Sequence, residues 1–307
     1  MNRHILITGS SGLVGTAVRA SLECSGVSVT GLDIQAVGHE FGDVRNPITI
    51  QHAFEGCTGI IHLAAISRVI WGEKDPDNCW TTNVHGLANV LGLSMSQKVK
   101  PWVIFASSRE VYGQPDILPA TESSPLNPVN IYGLAKVEGE RLINEARTQG
   151  LRTAVVRLSN VYGSTADHHD RVVPAFARAA VLGHALRVDG SDHTFDFTHL
   201  DDTARGIVAL AAYLDAGHDG LPPIHLLTGQ PTTLGQLAAI AHAASQSVSK
   251  IVPSPPRNFD VSQFHGCPQR AKELLGWEPQ ISIKEGVSRL IADFHAELMP
   301  EPAQESI

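Results

Sequence analysis

Three polar side chains in the middle of the chain have the types and spacing needed to move a proton at an alcohol carbon. Tyr132 and Lys136 lie at positions i and i+4 of one segment, so on a helix both side chains share a face. An ammonium close to a phenol stabilises the phenolate and lowers the pKa of the tyrosine toward the working pH. Ser108, upstream at the end of a strand-like run, can hydrogen-bond the same substrate oxygen. The pattern predicts a Ser/Tyr/Lys site that oxidises and reduces an alcohol carbon.

A glycine-rich segment near the N-terminus predicts where the hydride acceptor binds. The run from Gly9 to Gly15 has the spacing GxxGxxG, follows an apolar strand-like run and opens a helical pattern. A backbone that turns this tightly and approaches a pyrophosphate leaves no room for side chains, and the helix N-terminus directs its N–H groups at the phosphates. The predicted dinucleotide contacts in this loop are Gly9, Ser11, Gly12, Leu13, Val14 and Gly15.

The ends of the following strand-like runs extend the predicted dinucleotide site. Asp33 closes the second run, where a carboxylate accepts hydrogen bonds from the adenosine ribose and repels a 2′-phosphate. No arginine follows Asp33 at once, so the sequence favours NAD over NADP. Asp43 and Val44 come just before a helix that begins at Pro47 and are predicted to contact the cofactor. The next strand-like run ends in the small residues Ala64 and Ala65, which leave room for the cofactor. The additional predicted cofactor contacts are Asp43, Val44, Leu63, Ala64, Ala65 and Ser107, together with Tyr132 and Lys136.

The elements that must position these residues alternate between continuous apolar strands and helices. Such strands, each followed by a helix, indicate a parallel sheet covered on both faces. The fold class is therefore α/β, a Rossmann-like doubly wound parallel sheet with a smaller C-terminal substrate-binding lobe. The predicted strands are His4–Thr8, Val27–Asp33, Gly59–Ala64, Trp102–Ala106 and Arg152–Leu158, and the predicted helices include Leu13–Cys24 and one beginning near Tyr132.

The alternation of apolar strands and helices weakens after Val161. The sequence therefore predicts a larger lobe before this point and a smaller lobe after it. Residues 1–165 form the predicted dinucleotide-binding domain, with a return segment near 193–215. The predicted substrate-binding lobe comprises residues 166–192 and 216–300, since the segment 222–282 is rich in proline and short irregular pieces. Residues 301–307 are polar and interrupted by proline, and are expected to fray.

Composition narrows the class of protein. Hydrophobic residues make up 43% and charged residues 18% of the chain, which is ordinary for a globular enzyme. The formal net charge of −8 argues against nucleic acid or an anionic membrane as partner. The four cysteines form no CxxC pair and predict reduced thiols in a cytoplasmic protein. No leader peptide and no membrane span are expected, because the N-terminus leads straight into a strand and no apolar run is long enough.

Several motifs taken together resemble the extended short-chain dehydrogenase/reductase superfamily, in particular its NAD-dependent epimerase/dehydratase branch. The resemblance extends over nearly the whole chain and is more specific for the superfamily than for the reaction. The motifs that establish it are Gly9–Gly15, His62–Ala65, Asn83–Gly86, Ser107–Gly113, Tyr132–Lys136, Asn160–Gly163, Phe197–Asp202 and Arg270–Pro279.

The resemblance implies roles for individual residues. Tyr132 would be the general base and acid, Lys136 would bind the nicotinamide ribose and tune Tyr132, and Ser108 would orient the substrate oxygen. Asn83 matches a position that orders the active-site wall beside the cofactor, and Asn160 is a predicted substrate contact. The resemblance also implies NAD as cofactor, a sugar or nucleotide sugar as substrate, and a homodimer formed through the helices near 80–96 and 132–147.

Glu110 and Arg109 bear on the type of reaction. In similar dehydratases and nucleotide-sugar decarboxylases, a glutamate at the position of Glu110 takes part in catalysis, whereas 4-epimerases often have threonine there. The dehydratases have aspartate just before it, where this chain has Arg109, and that departure argues against dehydration. Arg109 is predicted to contact substrate and could meet a carboxylate, the alternative being a salt bridge between the two residues on the surface of the loop.

Phe195 is the most informative departure from the family pattern. Relatives that bind nucleotide sugars usually have an arginine there that contacts the diphosphate, and loss of such a contact costs roughly 1.5–3 kcal/mol. Either another group holds the diphosphate or the substrate is not a nucleotide sugar. The candidate replacements are Arg171, Arg187, His193 and Arg257, of which Arg187 and Arg257 are predicted substrate contacts.

Four functions remain open at this point. The leading hypothesis is a UDP-hexose or UDP-hexuronate 4-epimerase that acts through a transient 4-keto intermediate. The alternatives are a net NAD-dependent dehydrogenase of a sugar or sugar acid, a nucleotide-sugar decarboxylase or dehydratase, and, more remotely, a non-catalytic dinucleotide sensor. No metal site is expected, since the polar stretch Asp167–Asp170 has no frame that would converge ligands and is predicted to form a lid over the substrate.

Overall fold

The computed structural model describes residues 3–256 and 261–299. Strands and helices alternate through the first half of the chain, as the apolar runs predict. The strands are β1 (His4–Thr8), β2 (Ser28–Leu32), β3 (Gly59–His62), β4 (Trp102–Ser108), β5 (Thr153–Leu158), β6 (Asn160–Tyr162), β7 (Leu186–Asp189), β8 (Thr194–His199), β9 (Ile224–Leu226), β10 (Pro231–Thr233) and β11 (Ile251–Ser254). The helices are α1 (Leu13–Cys24), α2 (Pro47–Ala53), α3 (Val69–Lys74), α4 (Pro76–Trp80), α5 (Gly86–Ser96), α6 (Ile131–Thr148), α7 (Val172–Val181), α8 (Leu200–Asp215), α9 (Leu234–Ser245), α10 (Gln269–Leu275) and α11 (Ile283–Leu298).

The central sheet has six parallel strands in the order β2-β1-β3-β4-β5-β9. Its middle strands β1, β3 and β4 are buried along nearly their whole length because helices cover both faces of the sheet. Helices α1 and α8 contribute Leu22 and Ile207 to the core on one face, and α2, α5 and α6 contribute Ile50, Leu87 and Ile143 on the other. This arrangement confirms the predicted α/β, Rossmann-like fold.

A second group of elements surrounds another apolar core. The three-stranded sheet β10-β8-β6 and the two-stranded sheet β11-β7 pack with α7, α9 and α11 around residues such as Phe176, Phe197 and Phe264. Two elements from the range 216–300 lie elsewhere: β9 pairs with β5 at the edge of the central sheet, and Ala271 of α10 joins the core under it. Edge pairing with β5 explains this placement, so the sequence-derived range for the smaller lobe includes residues that pack with the larger one.

The cysteines and the lengths of the helices are the features that bear on redox state and on membrane insertion. Cys24, Cys57, Cys79 and Cys267 are free thiols. Among the described residues no helix is both long and apolar enough to cross a bilayer. The predicted frayed tail, 301–307, lies outside the described residues.

Candidate active site

The glycine loop between β1 and α1 forms a backbone cradle. Gly9 has φ +74°, and a Cβ there would lie 2.6 Å from the backbone nitrogen of Ala64. A Cβ on Gly15 would lie 2.2 Å from the carbonyl oxygen of Gly9, so the helix can approach the loop only without a side chain. Helix α1 begins at Leu13 and has Gly12 as its N-cap, which leaves its first N–H groups free of a side-chain cap. The cradle therefore fits the pyrophosphate of a dinucleotide.

Asp33 lies beside this cradle, immediately after β2. Its Oδ2 accepts a hydrogen bond from the backbone nitrogen of Ser11 at 3.0 Å, and its Oδ1 accepts one from Gln35 at 2.8 Å. The carboxylate is half-buried, so it is held in place and still accessible to a ribose. Asp43 is also ordered, but its two oxygens are held by Arg45, which donates to them at 2.5–3.0 Å and keeps the pKa of Asp43 below its usual range.

The end of β3 and the loop that follows it are held in place by hydrogen bonds with Thr8 and Asn83. Thr8 hydrogen-bonds Nδ1 of His62 at 2.8 Å, and burial lowers the pKa of this histidine to about 3. Asn83 lies in a turn of π-helix and is 1% exposed. Its side chain accepts from the backbone nitrogen of Ile66 at 2.7 Å and donates to the carbonyl of the same residue at 3.1 Å. Asn83 therefore orders the loop after β3 and does not line the cavity described below.

The Ser/Tyr/Lys residues converge where β4 ends beside the start of α6. Asn130 caps this helix by accepting from the backbone nitrogen of Gly133 at 2.7 Å, and Tyr132 and Lys136 then share its buried face. The hydroxyl of Ser108 accepts from the backbone nitrogen of Glu110 at 3.2 Å and lies near enough to Tyr132 to lower the pKa of its phenol. Lys136 Nζ donates to the carbonyl of Ala106 at 2.8 Å and lies 5.6 Å from the centre of the Tyr132 ring. The structure thus brings together the three side chains that spacing predicts.

The proton affinities of these residues differ from the sequence expectation. Burial raises the pKa of Tyr132 to about 12, against the opposing effect of the neighbouring Ser108 hydroxyl. Burial also lowers the pKa of Lys136 to about 8, although Cys79 and Glu140 oppose that change. The protein residues alone therefore do not bring the pKa of the tyrosine toward neutral pH, because desolvation by burial outweighs the opposing effects of Ser108 and Arg171.

A buried polar network that sequence reasoning missed supports the end of β4. Ser107 donates to Oε1 of Glu140 at 2.5 Å, and Arg157 donates to both oxygens of Glu140 at 2.8 and 2.6 Å. Arg157 also donates to the hydroxyl of Tyr112 at 2.6 Å, and this hydroxyl is 2.6 Å from Nε2 of His225. Glu140 follows Lys136 by one turn of α6, and this spacing is the sequence signal that could have indicated the network. The hydroxyl of Ser107 is thereby engaged inside the protein, whereas the sequence predicted a cofactor contact.

One cavity of about 450 Å³ adjoins both the Ser/Tyr/Lys residues and the cofactor cradle. Its volume is within the range of small-molecule sites, about 300–1,000 Å³. The sequence-predicted residues on its wall are Val14, Leu63, Ala65, Ser107, Ser108, Arg109, Glu110, Tyr132, Lys136, Asn160 and Arg187. The predicted residues that do not line it are Gly9, Ser11, Gly12, Leu13, Gly15, Asp33, Asp43, Val44, Ala64 and Asn83, and most of these lie along the loop and strand ends beyond it.

Arg109 and Glu110 occupy a short 3-10 turn directly after β4, where Glu110 is buried and the side chain of Arg109 is only 12% exposed, so neither lies on the open surface of the loop. Arg109 Nη2 lies 2.8 Å from Oε1 of Glu110, and Asn130 donates to Oε2 of Glu110 at 2.8 Å. The guanidinium carbon of Arg109 lies 4.9 Å from the ring centre of Phe195 and 5.7 Å from that of Phe264. A positive charge therefore lies against Phe195, the position where the sequence lacks the expected arginine.

Two loops meet across the cavity through contacts that sequence reasoning did not identify. Arg68, in the loop before α3, pairs with both oxygens of Asp170. Trp71 and His168 stack edge to face with ring centres 4.7 Å apart. Arg171 Nε lies 3.5 Å from Asp167, whose buried Oδ2 has no hydrogen-bond partner among the described residues. Among those residues no group of three or more His, Cys, Asp or Glu could hold a metal ion.

The remaining predicted substrate residues lie in different environments. Asn160 donates to the carbonyl of Asp196 at 3.3 Å from the start of β6. Arg187 is 71% exposed at the cavity and donates to Asp189 at 2.8 Å. Arg257 lies outside the described residues.

Comparison with known proteins places this geometry in a family. Residues 5–221 match the model of the NAD dependent epimerase/dehydratase family. The chain is 30% identical over 319 residues to UDP-glucuronic acid decarboxylase 6 of Arabidopsis thaliana, an alignment covering 97% of this chain and 90% of that protein. It is 28% identical over 310 residues to UDP-glucose 4-epimerase of Mycolicibacterium smegmatis, covering 94% and 97% respectively.

Solved structures agree with the sequence matches. The UDP-glucose 4-epimerase of Thermotoga maritima, solved with UDP-glucose, superimposes with a TM-score of 0.88 at 27% identity over 96% of this chain and 99% of that one. The UDP-glucose 4-epimerase of Thermus thermophilus, solved with NAD, superimposes with a TM-score of 0.84 at 25% identity over 95% and 99%. The chain belongs to the NAD-dependent epimerase/dehydratase family, as its motifs predict.

Proposed function

We propose that this protein is an NAD-dependent nucleotide-sugar 4-epimerase that acts on a UDP-hexose or UDP-hexuronate through a transient 4-keto intermediate. The observation that carries the proposal is the position of Ser108, Tyr132 and Lys136 on the wall of a cavity of about 450 Å³ that also contacts the cofactor side through Val14 and Ala65. The similarity to proteins named UDP-glucose 4-epimerase supports the same reaction and the same nucleotide.

Each residue of the site has a task in this reaction. Tyr132 takes the proton of the C4 hydroxyl and later returns it, and Ser108 orients the same oxygen. When bound, NAD would supply the hydride acceptor, and the positive charge of its nicotinamide would favour the phenolate of Tyr132. Lys136 holds the nicotinamide ribose, and its ammonium, hydrogen-bonded to the carbonyl of Ala106, adds to that stabilisation. Burial raises the pKa of Tyr132 in the protein alone to about 12, so these charges are needed to bring it toward the working pH.

The further site assignments are proposals of the same kind. The Gly9–Gly15 loop binds the pyrophosphate, Asp33 binds the adenosine ribose, and the substrate contacts are Arg109, Asn160 and Arg187. The domain division is supported by the separation of the apolar core around Phe176 and Phe197 from the two cores on the faces of the central sheet, with β9 and α10 assigned to the larger lobe and β6 and β8 to the smaller one. A homodimer through α5 and α6 is supported by an exposed leucine on α6, Leu134. A cytoplasmic location is supported by the free thiols.

The test is to denature the purified protein, identify the released dinucleotide, and incubate fresh enzyme with UDP-glucose or UDP-glucuronic acid. We expect NAD in near-stoichiometric amount, conversion to the C4 epimer, and no accumulation of NADH during turnover. Steady accumulation of NADH without an epimer would contradict the proposal and identify a net dehydrogenase.

Decarboxylation of a UDP-hexuronate is the second candidate, and one observation favours it. Glu110 is a buried carboxylate on the cavity wall next to Ser108, and a relative named UDP-glucuronic acid decarboxylase 6 is 30% identical to the chain. Release of CO₂ from UDP-glucuronic acid, together with a pentose product, distinguishes this reaction from epimerisation in the same assay.

A further inference from the structure

Arg109 is a largely buried cation with unused hydrogen-bonding capacity next to the reacting residues. Its side chain is 12% exposed, and its Nη2 contacts Glu110 at 2.8 Å. Its Nη1 is buried and has no hydrogen-bond partner among the described residues. Burying a charged donor without an acceptor is strongly unfavourable, so a buried nitrogen of this kind indicates a partner supplied from outside the chain.

Two aromatic rings hold this guanidinium in a fixed orientation. Phe195 is 9% exposed and Phe264 fully buried, and their ring centres lie 4.9 and 5.7 Å from the guanidinium carbon. Such stacking reduces the conformational freedom that the arginine would lose on binding an anion. A planar, pre-oriented guanidinium with an unpaired N–H group matches a carboxylate, whose oxygens accept charge-assisted hydrogen bonds.

The other arginines on the cavity wall do not share this feature. Each pairs with an aspartate, and within the described chain none of them has a buried guanidinium nitrogen without a hydrogen-bond partner. Arg109 is also the one that directly follows the proposed catalytic serine. The other pairs are Arg68 with Asp170, Arg171 with Asp167, and Arg187 with Asp189.

We propose that Arg109 binds a carboxylate on the hexose ring, so that the substrate is a nucleotide-linked hexuronate in preference to a neutral hexose. The inference rests on the proposed 4-epimerase function. Ser108 and Tyr132 hold the oxygen on C4, and the uronate carboxylate is attached to C5, the adjacent ring carbon. A carboxylate at this place meets Nη1 of Arg109 and leaves the existing contact of Nη2 with Glu110 intact.

This contact also bears on whether CO₂ is lost. A 4-keto hexuronate is a β-keto acid, so its C5–C6 bond can break, with the electron pair moving to C5 and the keto oxygen as an enolate while CO₂ leaves. Arg109 stabilises the carboxylate charge that disappears in this step, and therefore stabilises the reactant more than the transition state. The same residue that selects the uronate thus retains its carboxylate until hydride returns to C4.

The experiment compares wild type, Arg109→Gln and Arg109→Lys on UDP-glucuronic acid and UDP-glucose, which differ only in the group at C6. We expect wild type to prefer the uronate. Arg109→Gln should lower kcat/KM for the uronate roughly 10- to 100-fold more than for UDP-glucose, as expected for loss of a charge-assisted hydrogen bond. Arg109→Lys should recover part of that loss, and the share of turnover that ends in CO₂ should rise in Arg109→Gln.

Arg178→Gln is the matched control, since Arg178 is exposed on α7 outside the cavity wall. Equal losses of kcat/KM on both substrates, or a wild type that epimerises UDP-glucose alone, would overturn the role of Arg109 while the 4-epimerase function stands.

If neither substrate is turned over, the 4-epimerase function fails. Thermal stabilisation by each nucleotide sugar then decides the carboxylate contact: an excess for the uronate that Arg109→Gln removes supports it, and no excess overturns it.

Discussion

The two sides of the active-site cavity are built in different ways. On the cofactor side, the contacts lie at the ends of consecutive strands of one sheet, and the backbone determines the shape: a Cβ at Gly15 would lie 2.2 Å from the carbonyl of Gly9. On the substrate side, the contacts lie in loops far apart in sequence, joined by pairs of charged side chains such as Arg68 and Asp170.

This difference determines which substitutions each side of the cavity tolerates. The backbone cradle cannot accommodate a larger side chain, because an added methyl group must displace main-chain atoms. Side-chain pairs that are partly exposed contribute little stability, and their loss alters the shape of a loop more than the fold. We therefore expect substitutions on the cofactor side to affect NAD content and stability, and substitutions on the substrate side to affect KM and specificity. Four predictions test that expectation, in order of decreasing effect.

Tyr132→Phe should lower kcat about 10²–10⁴-fold, because it removes the group proposed to transfer the proton. Bound NAD and Tm should stay close to wild type, since the ring remains in its buried place. Steady-state kinetics and the dinucleotide released on denaturation measure the two effects. Tyr213→Phe, on α8 outside the cavity wall, is the control. A Tyr132→Phe enzyme that keeps a tenth of wild-type activity would exclude this tyrosine as the base.

Gly15→Ala should lower the free energy of unfolding by about 1–3 kcal/mol and remove bound NAD, because the new methyl group displaces the backbone of Gly9. Gly12→Ala is the matched variant: its Cβ would meet the same carbonyl at 3.3 Å, a contact that a small shift relieves. We expect Gly12→Ala to lose NAD with a much smaller change in Tm. Thermal denaturation and NAD content separate the variants, and equal Tm values would refute the packing argument.

Acid should destabilise the protein through His62. Burial lowers the pKa of this histidine to about 3 in the folded state, while the unfolded chain takes up a proton near pH 6.5. Its contribution is therefore fully present above pH 6.5 and is lost as the pH falls from 6.5 toward 3, by up to about 1.4 kcal/mol per pH unit. Urea unfolding at several pH values should show this slope in wild type and in the exposed control His39→Gln.

His62→Gln should flatten that slope, since glutamine does not titrate. A residual slope is expected from His225, whose pKa burial also lowers to about 3. An unchanged slope in His62→Gln would show that the histidine at the end of β3 is not the group that takes up the proton.

Arg68→Ala should have the smallest effect. Loss of its pair with Asp170 should raise KM about two- to fivefold by loosening the two loops, and should cost no more than about 1 kcal/mol of stability. NAD content should not change. Lys272→Ala breaks an exposed pair with Glu278 away from the cavity and serves as the control. A loss of NAD in Arg68→Ala would break the contrast between the two sides of the cavity.

Local sequence determined the elements of the larger lobe closely. The glycine loop, the helix from Leu13 to Cys24 and the shared face of Tyr132 and Lys136 follow from rules that involve neighbouring residues only. The placement of β9 did not follow, because three residues can pair with β5 only after the rest of the sheet exists.

The sequence by itself determined the α/β fold, the family, and the residue types that would bind a dinucleotide and move a proton. The tertiary structure alone decided the protonation of those residues, because desolvation of Tyr132 and Lys136 depends on what covers them. It also decided the surroundings of Arg109, which stacks on Phe195 and keeps one nitrogen without a partner among the described residues. Spacing along a chain specifies which side chains share a face, whereas burial and long-range pairing set their charge and their partners.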